Sequence, residues 1–197
     1  MIDMSFCSAG CGRPVITGSA LCAVHSADPV ADAERLGEHI MGQTAVRDIC
    51  AQGLFFEGVD FSKRHYNCCS FSNAVFYNCN FGGSLMRMSF FDFATLISCD
   101  FKGSDLQFMS FAGAIIQSCS FEGSELVSIN FCGSKISESH FNRTNLYNSR
   151  FIYADLSRTN FIDCNLKRTN FIQSKQNEIS FRSSNTAEAV FKLGEYQ

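Results

Sequence analysis

Large apolar residues recur along this chain at every fifth position. From Phe56 the beat runs through Phe61, Tyr66, Phe71, Phe76, Phe81 and Met86, and it continues without insertion to Leu166 and Phe171, 24 consecutive positions. Two positions before each of them stands a mostly small residue, as in Cys69, Ala74, Cys79, Ser84, Ser89, Ala94, Cys99 and Ser104. The other three positions of each five are largely polar, Gly or charged. A spacing of five fits neither the 3.6 period of a helix nor a long unbroken alternation. It fits a short strand in which residues two apart point to one side and the next two turn a corner. Each five-residue unit then makes one face, with one large and one small side chain inward.

A second period, of twenty, overlies the first. Phe101-Lys102-Gly103-Ser104-Asp105-Leu106 aligns with Phe121-Glu122-Gly123-Ser124-Glu125-Leu126 and with Phe141-Asn142-Arg143-Thr144-Asn145-Leu146. Stacking by twenty predicts a Phe ladder through residues 61, 81, 101, 121, 141, 161 and 181, and an opposite one through 71, 91, 111, 131, 151, 171 and 191. Two mainly aliphatic ladders run between them, one through Leu96, Ile116, Ile136 and Leu156, the other through Leu106, Leu126, Leu146 and Leu166. Cys79, Cys99 and Cys119 fall in one inward column, where thiols act as small buried hydrophobes and not as a metal or redox site. The ladder breaks at Gln176 and Thr186, so regular coiling is expected to fray over the last two turns.

Units such as Ala154-Asp155-Leu156 and Thr169-Asn170-Phe171 resemble the pentapeptide-repeat family, whose repeat is commonly written A(D/N)LXX. The resemblance covers roughly residues 54–191. It implies an all-β fold, a right-handed quadrilateral parallel β-helix with four faces per coil, which agrees with the period of twenty. It also implies that dimerisation through the C-terminal end is common.

Both ends of such a rod need covering, because terminal coils expose backbone edges. Residues 28–51 predict a helix, giving a helical N-terminal cap over 28–53 ahead of the repeat at 54–185. Asp28 suits the N-cap, Pro29 the first helical position, and Val30, Ala33, Leu36, Gly37 and Ile40 fall on one face. At the other end, 186–197 reads as a C-terminal cap or dimerisation segment, with Thr186 to Leu193 as a short helix.

Residues 1–27 depart from the repeat. They hold Cys7, Cys11, Cys22 and His25 in the spacing C-x3-C-x10-C-x2-H. Three thiolates and one imidazole complete a tetrahedral zinc set, closed to a catalytic water and therefore structural. A segment this short cannot bury a core, so bound Zn2+ would supply its folding energy. The segment resembles small CCCH zinc knuckles written C-x3-C-x-R-P…G-x2-LC-x2-H, some of which touch nucleic acid.

Composition narrows the function. The chain of 197 residues has 21 Phe, no Trp, 11 Cys and a net charge of −3. The start, Met1-Ile2-Asp3-Met4, has neither a basic nor an apolar leader region, and no run is long and apolar enough for a membrane span. An odd Cys count without a secretory signal points to a reducing, cytoplasmic setting. The sequence holds no phosphate loop, HExxH or GxSxG, and His39, His65 and His140 have no nucleophile or acid placed by a motif. The expectation is a non-enzymatic scaffold or protein–protein interaction module with an unidentified protein partner. The resemblance supplies an alternative, DNA mimicry directed at a type II topoisomerase, DNA gyrase or topoisomerase IV. The 54–197 stretch carries 13 basic and 13 acidic residues, so the rod is neutral overall. A second alternative, nucleic-acid binding through the knuckle and the basic C-terminal half, lacks an aromatic platform if every repeat Phe points inward.

Overall fold

The computed structural model describes residues 5–192. Strands of three residues stack in parallel every twenty residues into two sheets, which form two sides of one solenoid. One sheet has five strands, Ala45–Arg47, His65–Asn67, Leu85–Arg87, Asp105–Gln107 and Glu125–Val127. The other has seven, from Phe55–Glu57 through Ile115–Gln117 to Lys175–Asn177. Register is strict: Phe76 lies against Leu96, Leu96 against Ile116, and Leu106 against Leu126. The remaining two sides carry no three-residue strands. They pair by single bridges, Asp60–Asn80–Asp100–Ser120 on one and Ser70–Phe90–Ser110–Asn130 on the other. Four sides per coil therefore hold, but only two of them are strands.

Every residue from Phe56 to Phe171 on the five-residue beat is buried. The two Phe ladders stack within themselves, as in Phe81–Phe101 (4.7 Å, 5°) and Phe101–Phe121 (4.8 Å, 8°), and meet edge-to-face, as in Phe101–Phe111 (6.2 Å, 84°). Both geometries suit the aromatic quadrupole, and each pair adds about 0.5–1.5 kcal/mol beyond its buried area.

The small inward position does more than save space. Ser104 Oγ donates to the Phe81 carbonyl (2.9 Å), Ser124 Oγ to that of Phe101 (2.7 Å) and Thr169 Oγ1 to that of Leu146 (2.8 Å). Cys79, Cys99 and Cys119 repeat the contact with sulfur, onto the carbonyls of Phe56, Phe76 and Leu96, each at 3.5 Å. Each such bond fastens one coil to its predecessor, and no buried side-chain polar atom is left unpaired among the described residues. Burial also pushes the Cys69 and Cys79 thiols up to about 11, so they stay protonated and inert.

The corners impose a rule of their own. Every fifth residue from Asp48 to Ser183 has positive φ. On the bridge sides the corner is a hydrogen-bonded turn, with Ser84 N–H donating to Phe81 O and Ala114 N–H to Phe111 O. That is a type II turn, whose third residue needs φ > 0 and favours Gly. Gly83, Gly103, Gly113, Gly123 and Gly133 occupy that place. Past residue 140 the five-stranded sheet gives way to single bridges, because Asn145 and Asn165 turn their side-chain oxygens onto the N–H groups of Tyr147 and Lys167.

The N-terminal helix, α1, spans Pro29–Met41 and stops ten residues short of the expected 51. Asp28 caps it, accepting from Ala31 N–H. Its end is fixed by Arg64, whose guanidinium donates to the carbonyls of Ile40 (3.2 Å) and Met41 (2.9 Å). From Ala45 the chain already coils, with Val46 and Ala51 buried on the same five-residue beat. Modest side chains hid these first units within a stretch of helix-like composition. Ala33, Leu36, Gly37 and Ile40 do face the solenoid, but Val30, expected beside them, is 63% exposed.

At the far end the aliphatic ladder breaks as expected, with Gln176 and Thr186 both exposed. The aromatic ladders do not: Phe161–Phe181 and Phe171–Phe191 remain stacked. The expected terminal helix is a single 3-10 turn at Thr186–Glu188. Residues 193–197 of the expected C-terminal segment lie outside the described residues, as do Met1–Met4 of the start.

Candidate functional site

The segment ahead of α1 is built of tight turns, and they gather the four expected ligands. Gly10 and Gly12 have positive φ. Cys7 N–H donates to Arg13 O, Ser8 N–H to Ala20 O, and His25 N–H to Cys22 O. The ligand atoms of Cys7, Cys11, Cys22 and His25 all lie within 4.8 Å of one another. Cys11 Sγ is 3.7 Å from Cys22 Sγ, while His25 Nδ1 is 3.5 Å from Cys7 Sγ and 3.6 Å from Cys22 Sγ. A zinc tetrahedron with bonds of ~2.3 Å to sulfur and ~2.0 Å to nitrogen has S–S edges of ~3.8 Å and S–N edges of ~3.5 Å. The donor set and its spacing fit that ion. Backbone N–H groups favour the thiolates: the Arg13 N–H holds the Cys11 thiol down to about 6, and the Cys22 N–H lowers Cys7. Burial dominates at Cys22 and raises it.

This small unit also covers the first coil. Ile16 is buried in the solenoid core, Thr17 N–H donates to Cys50 O (2.9 Å), and Cys50 N–H donates back to Thr17 Oγ1 (2.8 Å). Asp32 of α1 then ties the two parts together. It accepts from Ser26 Oγ and pairs with Arg35, both at 2.7 Å, and these partners hold its carboxyl below the ordinary value.

The outward faces depart from one expectation. Not all Phe side chains point inward. Phe93 is 66% exposed and Phe108 61%, and Met88, Phe90 and Tyr153 are also outward. Met88, Phe93, Phe108 and Tyr153 all occupy corner positions with positive φ. Phe93 lies over Gly113, so close that a Cβ there would meet its ring at 2.5 Å. A signal for these outward aromatics was present in the sequence, since they stand off the five-residue beat.

The acidic residues Asp105 and Glu125 face each other in register on adjacent strands, but each is engaged elsewhere, Asp105 with Arg87 (2.6 Å) and Glu125 with Asn145 (2.6 Å). His65 and His140 are exposed. Among the described residues no helix is long and apolar enough to cross a membrane.

The family model described as pentapeptide repeats matches residues 56–87, 91–126 and 124–163, more than half of the chain, in 8 copies. No curated protein sequence matches. Among solved structures, HetL, a pentapeptide-repeat protein involved in heterocyst differentiation regulation from the cyanobacterium Nostoc sp. strain PCC 7120, is 12% identical. The match covers 80% of this chain and 95% of that one, with a TM-score of 0.34. QnrB1, a plasmid-mediated fluoroquinolone resistance protein, is 18% identical over 75% of this chain and 77% of that one, with a TM-score of 0.36. Rfr23 of the cyanobacterium Cyanothece 51142, also a pentapeptide-repeat protein, is 12% identical over 81% and 99%, with a TM-score of 0.27.

Proposed function

The chain belongs to the pentapeptide-repeat family, and on that premise we propose that it is a non-enzymatic protein-interaction module, a rigid rod whose N-terminal end is fastened by a structural zinc ion. One observation carries the interaction role. Phe93, Phe108 and Met88 are large apolar side chains held outward at corner positions where Gly or Asn costs least. Positive φ at a bulky residue is unfavourable by about 1 kcal/mol or more, and a ring left mostly exposed recovers little of it within the fold, even where, as at Phe93, it lies over a glycine. Contact with a protein partner accounts for such rings.

Cys7, Cys11, Cys22 and His25 would hold the ion, which supplies cross-linking and no open coordination position. Purified protein should contain one zinc per chain. Cys22→Ser should lower that content and loosen residues 5–27, read by hydrogen exchange, while the coils past Phe61 stay protected. Unchanged hydrogen exchange in zinc-free protein would end the structural role.

DNA mimicry and direct nucleic-acid binding are not favoured. Cations and anions interleave along the rod in pairs, Arg143–Glu122, Arg158–Glu138 and Lys167–Glu188, so neither sign forms an unbroken face there. Assays of DNA gyrase supercoiling and of DNA binding across a salt series should both be negative. Gyrase inhibition without DNA binding would replace the present reading by mimicry, and steeply salt-dependent DNA binding would replace it by nucleic-acid recognition.

A further inference from the structure

A groove runs along the exposed side of α1 where the helix meets the first strand of the seven-stranded sheet. Two adjoining cavities of about 490 Å³ each lie along it, with Val30 and Phe55 lining both. Its apolar floor and walls include Val30, 63% exposed, and Phe55, 51% exposed, with Met41 at one end and Val24 at the other. The rim at the Met41 end is acidic: Glu34 and Glu38 stand on α1 and Glu57 on the facing strand. All three are exposed, and none has an ion pair with a basic residue among the described residues. No basic side chain lines that half of the groove, and Arg13 lines the Val24 end. Three unmatched carboxylates beside uncovered Val and Phe side chains ask for an occupant with both apolar and cationic groups. A helix of 13 residues is about 20 Å long, which gives the groove room for a partner helix of similar length.

We propose that this groove docks a cationic amphipathic helix of a protein partner, its apolar stripe on Val30 and Phe55 and its Lys or Arg side chains against Glu34, Glu38 and Glu57. The proposal rests on the interaction-module reading and gives that module a specific surface and a partner chemistry. Helix-in-groove binding takes its affinity from the buried apolar stripe and its selectivity from the charged rim.

The test uses the full-length zinc-loaded chain and two fluorescent 14-residue amphipathic peptides, one of Leu and Lys, the other of Leu and Glu, followed by anisotropy. The Leu/Lys peptide should bind at least ~10-fold more tightly than the Leu/Glu peptide, and weaken as salt is raised from about 0.05 to 0.5 M. Val30→Asp or Phe55→Asp should cost at least ~10-fold, and the Glu34→Gln, Glu38→Gln, Glu57→Gln triple variant should remove most of the Lys preference. All these positions are exposed, so thermal melts should stay unchanged. Ile115→Ser, 45% exposed and three coils away on the same sheet, serves as the control and should bind as the parent does. Equal binding of both peptides, no binding at all, or binding that survives Val30→Asp would overturn the proposal. So would occupation of the groove by a second copy, seen as a dimer in sedimentation that Phe55→Asp dissociates.

Discussion

Phe121 and Phe108 share a side chain and differ in everything the fold does with it. Phe121 is buried between Phe101 and Phe141, stacked on each at less than 5 Å. Truncation to Ala removes both stacks and leaves a cavity that neighbouring coils cannot fill, because strand register holds them apart. Phe121→Ala should therefore cost about 3–5 kcal/mol in chemical denaturation. Phe108 stands 61% exposed at a corner with φ of 55°. Phe108→Asn, a residue that tolerates the left-handed region, should leave stability unchanged or raise it by up to ~1 kcal/mol in the same measurement. Loss of stability in the second variant would mean that the outward ring serves folding and not binding. The inward half of this contrast was legible from spacing alone. In the outward half, spacing placed Phe108 off the beat, but the left-handed corner and the degree of exposure were not legible, since the beat is silent about the conformation each corner demands.

Helix α1 is held at both ends by side chains from other elements. Arg64, on the following coil, supplies donors to the last carbonyls of the helix, an arrangement favoured also by the helix dipole. Arg64→Ala should lower the melting free energy by about 1–2 kcal/mol and fray residues 38–42 first, read by hydrogen exchange. At the other end, Asp32 links the helix to Ser26 of the preceding segment and pairs with Arg35 one turn along the helix. Its folded carboxyl lies below the ordinary value of 3.8, so the stabilisation it gives is whole above that pH and is lost as pH falls towards the folded value. Asp32→Asn should remove this part of the acid dependence, at a cost within ~1 kcal/mol at neutral pH. An acid profile identical to the parent's would show that the link contributes nothing. The N-cap at Asp28 and Pro29 and the buried face at Ala33, Leu36 and Ile40 were readable from the sequence. The helix end was not, because Arg64 is far from it in the chain and adjacent only in space.

At the scale of the whole molecule, stability is a sum over coils and the contacts between them. One aliphatic ladder stops where Gln176 falls against Leu156 in register and the other at Thr186, so the last coils keep their aromatic stacks but lose both aliphatic rows. Gln176→Leu should extend the first of these rows, raise the stability of the C-terminal coils by roughly 1 kcal/mol and slow exchange of amides between residues 160 and 190. If exchange there is unaffected, coupling along the rod is weaker than ladder packing implies. The N-terminal end is the opposite case, with Ile16, Thr17 and α1 all laid against the first coil.

The sequence by itself determined the solenoid, its period of twenty, its inward ladders and the grouping of Cys7, Cys11, Cys22 and His25, because periodicity and ligand spacing are local properties that survive without coordinates. Only the tertiary structure decided where helix gives way to coil, which sides are strands, and what the small inward residues bond to. It also decided which apolar side chains are left uncovered, at Phe93, Phe108, Val30 and Phe55. Those outcomes depend on groups brought together by winding the chain, and exposure belongs to a surface, not to a residue.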